Sequence, residues 1–479
     1  MSSGGDKLRE KCAVVGVSVD GEGNDAARMG YLGLFALQHR GVDASGLVAT
    51  DGGPLNVVRH PGVVRDVFTT ANLDGLEGSL AVGHNRYSTS GNREKHLQPV
   101  VSDAIGFAMA HNGNLPDLTL LQEYLEKRRY VTRQYNDSEH FANALASKLH
   151  GGRSFEAAMR EVSELAIGAY ACTATYDGLL AGFRDPHGIR PLELGEFDGG
   201  MMLASETCAL DIVGAKHVRS VGPGELVLIH DGQLISSTQF AEPDLHSDVF
   251  ELVYFARRDS VMRGQGVDGI RRRFGEELAK LHTPYNYSPG NTVVTAVPAT
   301  SVPAAEAYAA ALGARYQSVI VKNDYINRTF IQATQKSRIE ELRLKHTIIP
   351  ELVAGKDLVM IDDSIVRGNT LPKLVEQAYD DGARSVTVLI GSPPIRFPDF
   401  YGIDTPSQSE LMAANMTVEE MRAALGADYL GFLSVSALVR ATRLPHDTLN
   451  LAAFTGEYPA SIGRRASTIK PPVSMEYMD

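Results

Sequence analysis

Thirteen consecutive residues, VMIDDSIVRGNTL at 359–371, constrain the fold more than any other stretch of this chain. An apolar run leads into two carboxylates, Asp362 and Asp363. A small polar loop follows, and a helix starts at Thr370. An apolar strand that feeds a helix through a short loop is a unit of a parallel sheet covered on both faces. In such sheets ligands bind where strands end and loops begin. The loop's N–H groups and the helix N-terminus together form an anion site. Ser364, Gly368, Asn369 and Thr370 can add donors there without crowding a phosphate. The two acids repel a phosphate; they suit a sugar diol or a hydrated Mg²⁺, which takes hard oxygen ligands. A lone pair of aspartates at a turn is commonplace; the whole thirteen-residue pattern is not.

The rhythm around this run agrees with it. After about Val249, apolar strands (NTVVTAVP, QSVIVKN, KDLVMIDD, RSVTVLIG) alternate with helices at 273–281, 303–312 and 371–379. This predicts an α/β domain with a parallel sheet, residues 249–463. Before it, from Cys12 to 235, short Val-, Ala- and Gly-rich runs follow one another in series, broken by helices at 25–40, 138–150 and 155–167. That order predicts stacked antiparallel sheets with helices outside, an α+β domain. The polar stretch SSTQFAEPDLHS, within 236–248, reads as the linker, and 464–479 as a loosely packed tail.

Composition removes other classes. The chain has 479 residues, enough for two or three domains. Lys plus Arg is 46 against 58 Asp plus Glu, a net charge of -12, which argues against a nucleic-acid or membrane-surface binder. Three cysteines, Cys12, Cys172 and Cys208, give no disulfide framework and suit a reducing cytoplasm. No run of 18 apolar residues is present, and the leader MSSGGDKLREK has no apolar core of a secretory signal.

The run at 359–371 resembles the signature with which type I phosphoribosyltransferases bind 5-phosphoribosyl-1-pyrophosphate (PRPP). Two other stretches fit. AVPATSVPAA (296–305) follows a strand and opens a helix, so Thr300 and Ser301 are placed to hold the pyrophosphate. The resemblance puts Ser301 with Asp362 and Asp363 at a Mg²⁺ site. VKNDYINRTFIQATQKSR (321–338) carries Lys322 and Arg328. By itself it is a basic, solvated loop; the resemblance makes it a lid that closes over the pyrophosphate and excludes water. Arg367, in the phosphate loop, completes the implied PRPP set.

The first half carries different chemistry. Cys12 begins an apolar strand, CAVVGV, where a lone cysteine is ordinarily inert core. Its companions change that reading. HNGN at 111–114 offers the Asn112 side-chain amide and the Gly113 N–H, a plausible oxyanion hole. HNRYST at 84–89 puts Arg86 at a strand end, able to pair with a carboxylate. YNDSEH at 135–140 puts Asp137 at a helix start, able to receive an α-ammonium group. Arginine and aspartate together read an amino acid, and an amide side chain makes it glutamine or asparagine. No Cys–His pair supplies a base. A chain starting at Cys12 would supply one in its own α-amine, whose reference pKa of roughly 7.7–8.0 lies near a thiol's. The leader 1–11 is then a propeptide; the plainer alternative is an ordinary loose N-terminus.

With QHRG at 38–41, these motifs resemble the N-terminal-nucleophile glutamine amidotransferases, whose domain is an αββα stack. Joined to a type I phosphoribosyltransferase, and with SPPIRFPDFYGIDTP (392–406) and AAFTGEYP (452–459), the chain resembles the glutamine–PRPP amidotransferase family from Cys12 to about Tyr458. The resemblance implies Cys12 as nucleophile, Asn112 and Gly113 as oxyanion hole, and Arg86, Asp137, Gly113 and Arg40 around glutamine. It implies glutamine-dependent ammonia transfer to PRPP, the first committed step of purine (IMP) synthesis, giving 5-phosphoribosylamine, glutamate and pyrophosphate. It also implies a homotetramer and feedback inhibition by purine nucleotides.

The chain departs from the family in one respect. Propeptide-bearing members often hold a four-iron cluster on four cysteines, and the matching positions here are Asp248, Asp399, Asn450 and Ala453. A thiolate-held iron–sulfur cluster is therefore not expected. Val42 follows QHRG where the family usually has glutamine. Cys172 and Cys208 read as core. Two rivals remain: an amidotransferase with another sugar-phosphate partner domain, and a non-catalytic PRPP sensor on the same fold.

Overall fold

The computed structural model describes residues 9–10, 12–21, 25–86, 96–323, 346–405 and 407–479. Arg328 and most of the expected lid lie outside them. In the first half, β1 (Cys12–Val19), α1 (Asp25–Ala36), β2 (Ala44–Thr50) and β3 (Leu80–Arg86) belong to one layer pair. β4 (Phe107–Asp117), α2 (Asp137–His150) and β5 (Ile167–Tyr176) belong to another. β1, β3 and β2 lie side by side in a seven-stranded sheet, and β4 and β5 in a six-stranded one. Every strand pair in these two sheets is antiparallel.

Alternation along the strands builds the layers. In β1, Ala13, Val15 and Val17 pack with Leu34 and Leu37 at and beyond α1, while Val14 joins Val82, Ala110 and Ala171 between the sheets. In β4, Phe107 and Met109 face Phe141 and Leu145 of α2, and Ala110 faces the other sheet. Period-two side chains on doubly covered sheets thus give helix, sheet, sheet, helix. The expected αββα stack is what is seen.

In the second half, α3 (Val267–Leu281), β6 (Thr292–Ala296), α4 (Val302–Leu312), β7 (Asp357–Asp362), α5 (Leu371–Asp380), β8 (Ser385–Ile390) and β9 (Tyr429–Phe432) follow in order. With Arg315–Tyr316 at its edge, the sheet runs Arg315–Tyr316, β6, β7, β8, β9, all parallel. Its strands are apolar on both faces, as a covered parallel sheet requires.

Several expected limits shift. α1 stops at Ala36 rather than Arg40, because the side chains of Gln38, His39 and Arg40 leave the helix for partners at Gly41, Val64 and Glu206. The helix expected to reach 167 ends at Ser163, where the strand at Ile167 takes over. The stretch expected to open the linker at 236 is still strand: Gln233–Gln239 pairs with Glu225–His230. Its polar residues alternate on an exposed edge, which hid the strand. The tail is not loose at its end. Arg396, 1% exposed, donates to the carbonyls of Ser474 (2.7 Å) and Glu476, and the Tyr477 ring packs on His282 and Phe432. Among the described residues no helix is long and apolar enough to cross a membrane.

Candidate functional site

Strand parity aims three of the expected residues into one space. Cys12 shares the face of Val14, and Arg86 that of Val82, both part of the core between the sheets. Asn112 shares the face of Ala110, from the opposite sheet. Cys12 lies directly across from Arg86 in the ladder. The sheets meet just beyond them, where the His84 ring reaches the His111 carbonyl at 3.2 Å. Cys12 is 7% exposed and Asn112 fully buried.

Gly113 has a φ of 144°, and a Cβ there would lie 2.1 Å from the Ala169 carbonyl oxygen. Only glycine turns this part of β4 so that its amide is free of a side chain. The segment is clamped on its outer side. Gln98 accepts from the His111 N–H (2.7 Å), and His111 Nδ1 lies 2.9 Å from Ser138 Oγ at the start of α2. Asp137, the first residue of α2, accepts from the Leu115 N–H at 3.3 Å. Arg86 donates to the His96 carbonyl (2.9 Å), and His96 Nδ1 meets Glu139 at 2.7 Å. Arg86 and Asp137 therefore stand on one connected rim. Gln98 and His96 had no signature in the sequence, and Glu139 sits within YNDSEH without a role visible there; only the fold brings them here.

The histidines do not offer an obvious base. Burial, with Arg86 and His111 nearby, pushes His84 down to about 3 and keeps it neutral. The other thiols are core, as expected. Burial drives Cys172 well above the ordinary thiol range, and burial beside Glu206 lifts Cys208 to about 12.

Arg40, in the QHRG motif, follows α1. Its guanidinium is fully buried between Glu206 and Glu251, and opposing effects of burial and these two carboxylates leave its pKa raised. Glu251 also holds Arg190 at 2.9 Å, and Arg190 holds Asp248 at 2.7 Å. This buried chain of charges ties the two halves together, and Arg40 helps to order that junction.

The second site sits at the ends of β6 and β7, which are neighbours in register from Thr292↔Asp357 to Ala296↔Ile361. Adjacent parallel strands bring their following loops together. Thr300 donates to Asp363, and Ser301 Oγ lies 3.3 Å from Asp362 Oδ1. Ser364 Oγ donates to Asp363 at 2.8 Å. Asp362 and Asp363 are 3% and 4% exposed. Helices α4 and α5 begin at Ser301 and Thr370, so both loops lie against helix N-termini. Gly368 takes a φ of 70°, with its would-be Cβ 2.5 Å from Met412 Sδ, while Arg367 pairs with Glu410 at 2.7 Å. Asn369 is exposed on the loop. Lys322 ends a short strand, Ile320–Lys322, paired antiparallel with His346–Ile348. Arg271 of α3, which no motif flagged, is buried and close enough to Asp363 to feel its charge; burial lowers it to about 10.

One segment of the second domain reaches the first site. Residues 400–404 reach from the second domain onto β4: Asn114 donates to the Phe400 carbonyl at 2.7 Å, and a Cβ on Gly402 would lie 3.2 Å from Gly113 Cα. Arg9–Glu10, before Cys12, pairs antiparallel with Ile403–Asp404.

Comparison with known proteins gives this two-site geometry its place. The amidophosphoribosyltransferase of Synechococcus elongatus is 40% identical over 95% of this chain and 93% of its own length. The chain belongs to the amidophosphoribosyltransferase family. The family's Bacillus subtilis and Mycobacterium tuberculosis members are 38% and 39% identical, over 95% and 96% of this chain and 95% and 88% of theirs. A glutamine amidotransferase domain family matches residues 84–211. The B. subtilis glutamine phosphoribosylpyrophosphate (PRPP) amidotransferase, solved with ADP and GMP, superposes with a TM-score of 0.86 at 37% identity, covering 95% of this chain and 98% of that one. A structure of the allosteric regulatory enzyme of purine biosynthesis gives 0.87 at 36%, covering 96% and 98%. The fold of an amidophosphoribosyltransferase, a glutamine amidotransferase domain followed by a phosphoribosyltransferase domain, is the fold seen here.

Proposed function

We propose that this chain moves ammonia from glutamine to PRPP, using Cys12 in the first domain and the Asp362–Thr370 loop in the second. The single observation that carries the reading is the shared face of Cys12, Arg86 and Asn112 beside the glycine amide of residue 113. Arg86 receives the α-carboxylate of glutamine and Asp137 its α-ammonium group. The Cys12 thiolate attacks the side-chain carbonyl carbon, and the developing oxyanion accepts from the Asn112 amide and the Gly113 N–H. The C–N bond breaks, ammonia leaves with a proton from the catalytic amine, and water hydrolyses the thioester to glutamate. The base is the α-amine of Cys12 once residues 1–11 are removed. Burial of His84, which makes its protonated form costly, supports assigning that role to the amine.

Ammonia then attacks C1 of PRPP and the bond to pyrophosphate breaks, leaving 5-phosphoribosylamine, the entry compound of purine (IMP) synthesis. Thr300, Ser301, Ser364, Gly368, Asn369 and Thr370 hold the phosphates, with Lys322, Arg328 and Arg367 supplying positive charge. The donor set fits Mg²⁺: two adjacent buried carboxylates and a serine hydroxyl are hard oxygen groups. Asp362, Asp363 and Ser301 would hold it, and when bound it neutralises charge on the leaving pyrophosphate. The contact of residues 400–404 with β4 supports a short, sheltered route for ammonia between the sites. A homotetramer, purine-nucleotide inhibition and a cytoplasmic location belong to the same reading, on family grounds.

The test is pyrophosphate release from PRPP with glutamine or with ammonium salt, alongside the intact mass of the purified protein. Turnover with both donors by a chain that starts at Cys12 is expected. PRPP binding without turnover, by a chain keeping its leader, would indicate a sensor instead.

A further inference from the structure

Outside both sites, the linker lies against the first domain as a strap. Asp244 N–H donates to the Pro186 carbonyl (2.9 Å), His246 N–H to that of His187 (2.7 Å), and Asp248 N–H to that of Ile189 (3.2 Å). Residues two apart on an extended strand share a face, so Asp244 and His246 point together toward His187. The three offer ligand atoms that all lie within 4.8 Å of one another. His187 Nδ1 is 3.2 Å and His246 Nδ1 3.5 Å from the Asp244 carboxylate oxygens. Both nitrogens are also near the Asp244 backbone carbonyl, at 3.1 and 3.0 Å. The imidazoles stack edge to face, 5.7 Å between centroids. The carboxylate is 63% exposed, which leaves an entry path, and the rings are 20% and 25% exposed, which limits their freedom.

From this geometry we infer a binding site for one divalent first-row transition ion, of the zinc class, on His187, Asp244 and His246. Two imidazoles and one carboxylate are a donor set for such ions, whereas Mg²⁺ and Ca²⁺ prefer oxygen alone. The backbone strap has already ordered the ligands, so binding needs little rearrangement. Each Nδ1 exchanges its contact with the Asp244 oxygens for the metal, and Nε2 carries the ring proton. The role is that of a clasp. It fastens the linker to the first domain two residues before Asp248, whose pair with Arg190 belongs to the buried junction. His246 also lines a cavity of about 280 Å³ with His446 and Asp447 of the second domain, so the clasp stands where the two domains meet the linker.

The experiment uses the full-length protein, stripped with a chelator and titrated with Co²⁺. One equivalent should produce visible d–d bands that Zn²⁺ abolishes. The bands should be absent in His187→Ala and His246→Ala, weakened in Asp244→Asn, and retained in Asp362→Asn with Asp363→Asn, which separates this site from the PRPP pocket. X-ray absorption of the parent protein with one equivalent of Zn²⁺ should show imidazole scattering, with Zn–N at about 2.0–2.1 Å. Bands that survive both histidine substitutions, no stoichiometric binding, or a shell of oxygen ligands alone would overturn the inference. Asp244 would then be only the ion-pair partner of two histidines.

Discussion

At the scale of single residues, the first domain's chemistry depends on backbone that tolerates no side chain at position 113. Gly113→Ala forces a Cβ to within 2.1 Å of a carbonyl oxygen at a φ of 144°. Glutamine-dependent turnover should fall by about 10²-fold or more, the scale of losing an oxyanion donor, while ammonium-dependent turnover stays within a few-fold. Steady-state assays with the two donors check this. Asp248 gives a different kind of test. Burial lifts its carboxyl to about 7, helped by Asp399 and Glu251 and opposed by Arg190. Its folded pKa thus exceeds the ordinary aspartate value of 3.8, so its protonated form favours folding. That contribution is complete below about pH 3.8 and is lost as pH climbs through 7. The stability of the parent relative to Asp248→Asn should therefore fall across this window. Urea unfolding of both proteins at several pH values measures it; a relative stability that rises with pH contradicts the assignment.

Among elements, the loops after β6 and β7, proposed to bind PRPP, should matter for either nitrogen source, because both need PRPP. Asp362→Asn with Asp363→Asn should cut synthesis from glutamine and from ammonium alike, by about 10²-fold or more if a preorganised ion site is lost. Survival of the ammonium reaction would place PRPP elsewhere. α2 is fastened to the six-stranded sheet by rings: Phe141 packs on Tyr170 at 4.8 Å and on Phe183 at 6.0 Å. Phe141→Ala should cost about 3–5 kcal/mol, and because α2 begins with Asp137, glutamine KM should rise as well. Thermal unfolding and donor kinetics report the two effects. The elements were legible in the sequence wherever apolar period and turn residues agreed, as in β1, β7 and α5. They were misjudged where polar residues formed an edge strand, Gln233–Gln239, or where side chains pulled a helix end apart, at Gln38–Arg40.

For the molecule as a whole, the motifs around Arg86, Asp137 and Asp362–Thr370 were readable because each ends a strand or starts a helix, where chemistry and chain punctuation coincide, whereas Cys12 begins a strand and Asn112 lies inside β4. Their supports were not readable. Gln98, Glu139, Glu206, Glu251 and Arg271 act across 13 to 211 residues of sequence, and no local pattern announces such partners. The positions matching the family's cluster ligands illustrate this. Ser247–Asp248 runs parallel to Leu449–Asn450, Arg396 and Phe397 donate to the Ala453 carbonyl, and Asp248 lies within electrostatic reach of Asp399. Backbone pairing holds together what the sequence showed only as four missing cysteines.

On the proposed reading the two domains divide the labour, and Cys12 serves the first alone. The most direct test is Cys12→Ala, assayed for pyrophosphate release from PRPP with glutamine and with ammonium salt. Glutamine-supported release should fall by about 10³-fold or more, and ammonium-supported release should persist near the parent rate. Undiminished turnover with glutamine, or equal loss with both donors in a folded protein, would contradict the account.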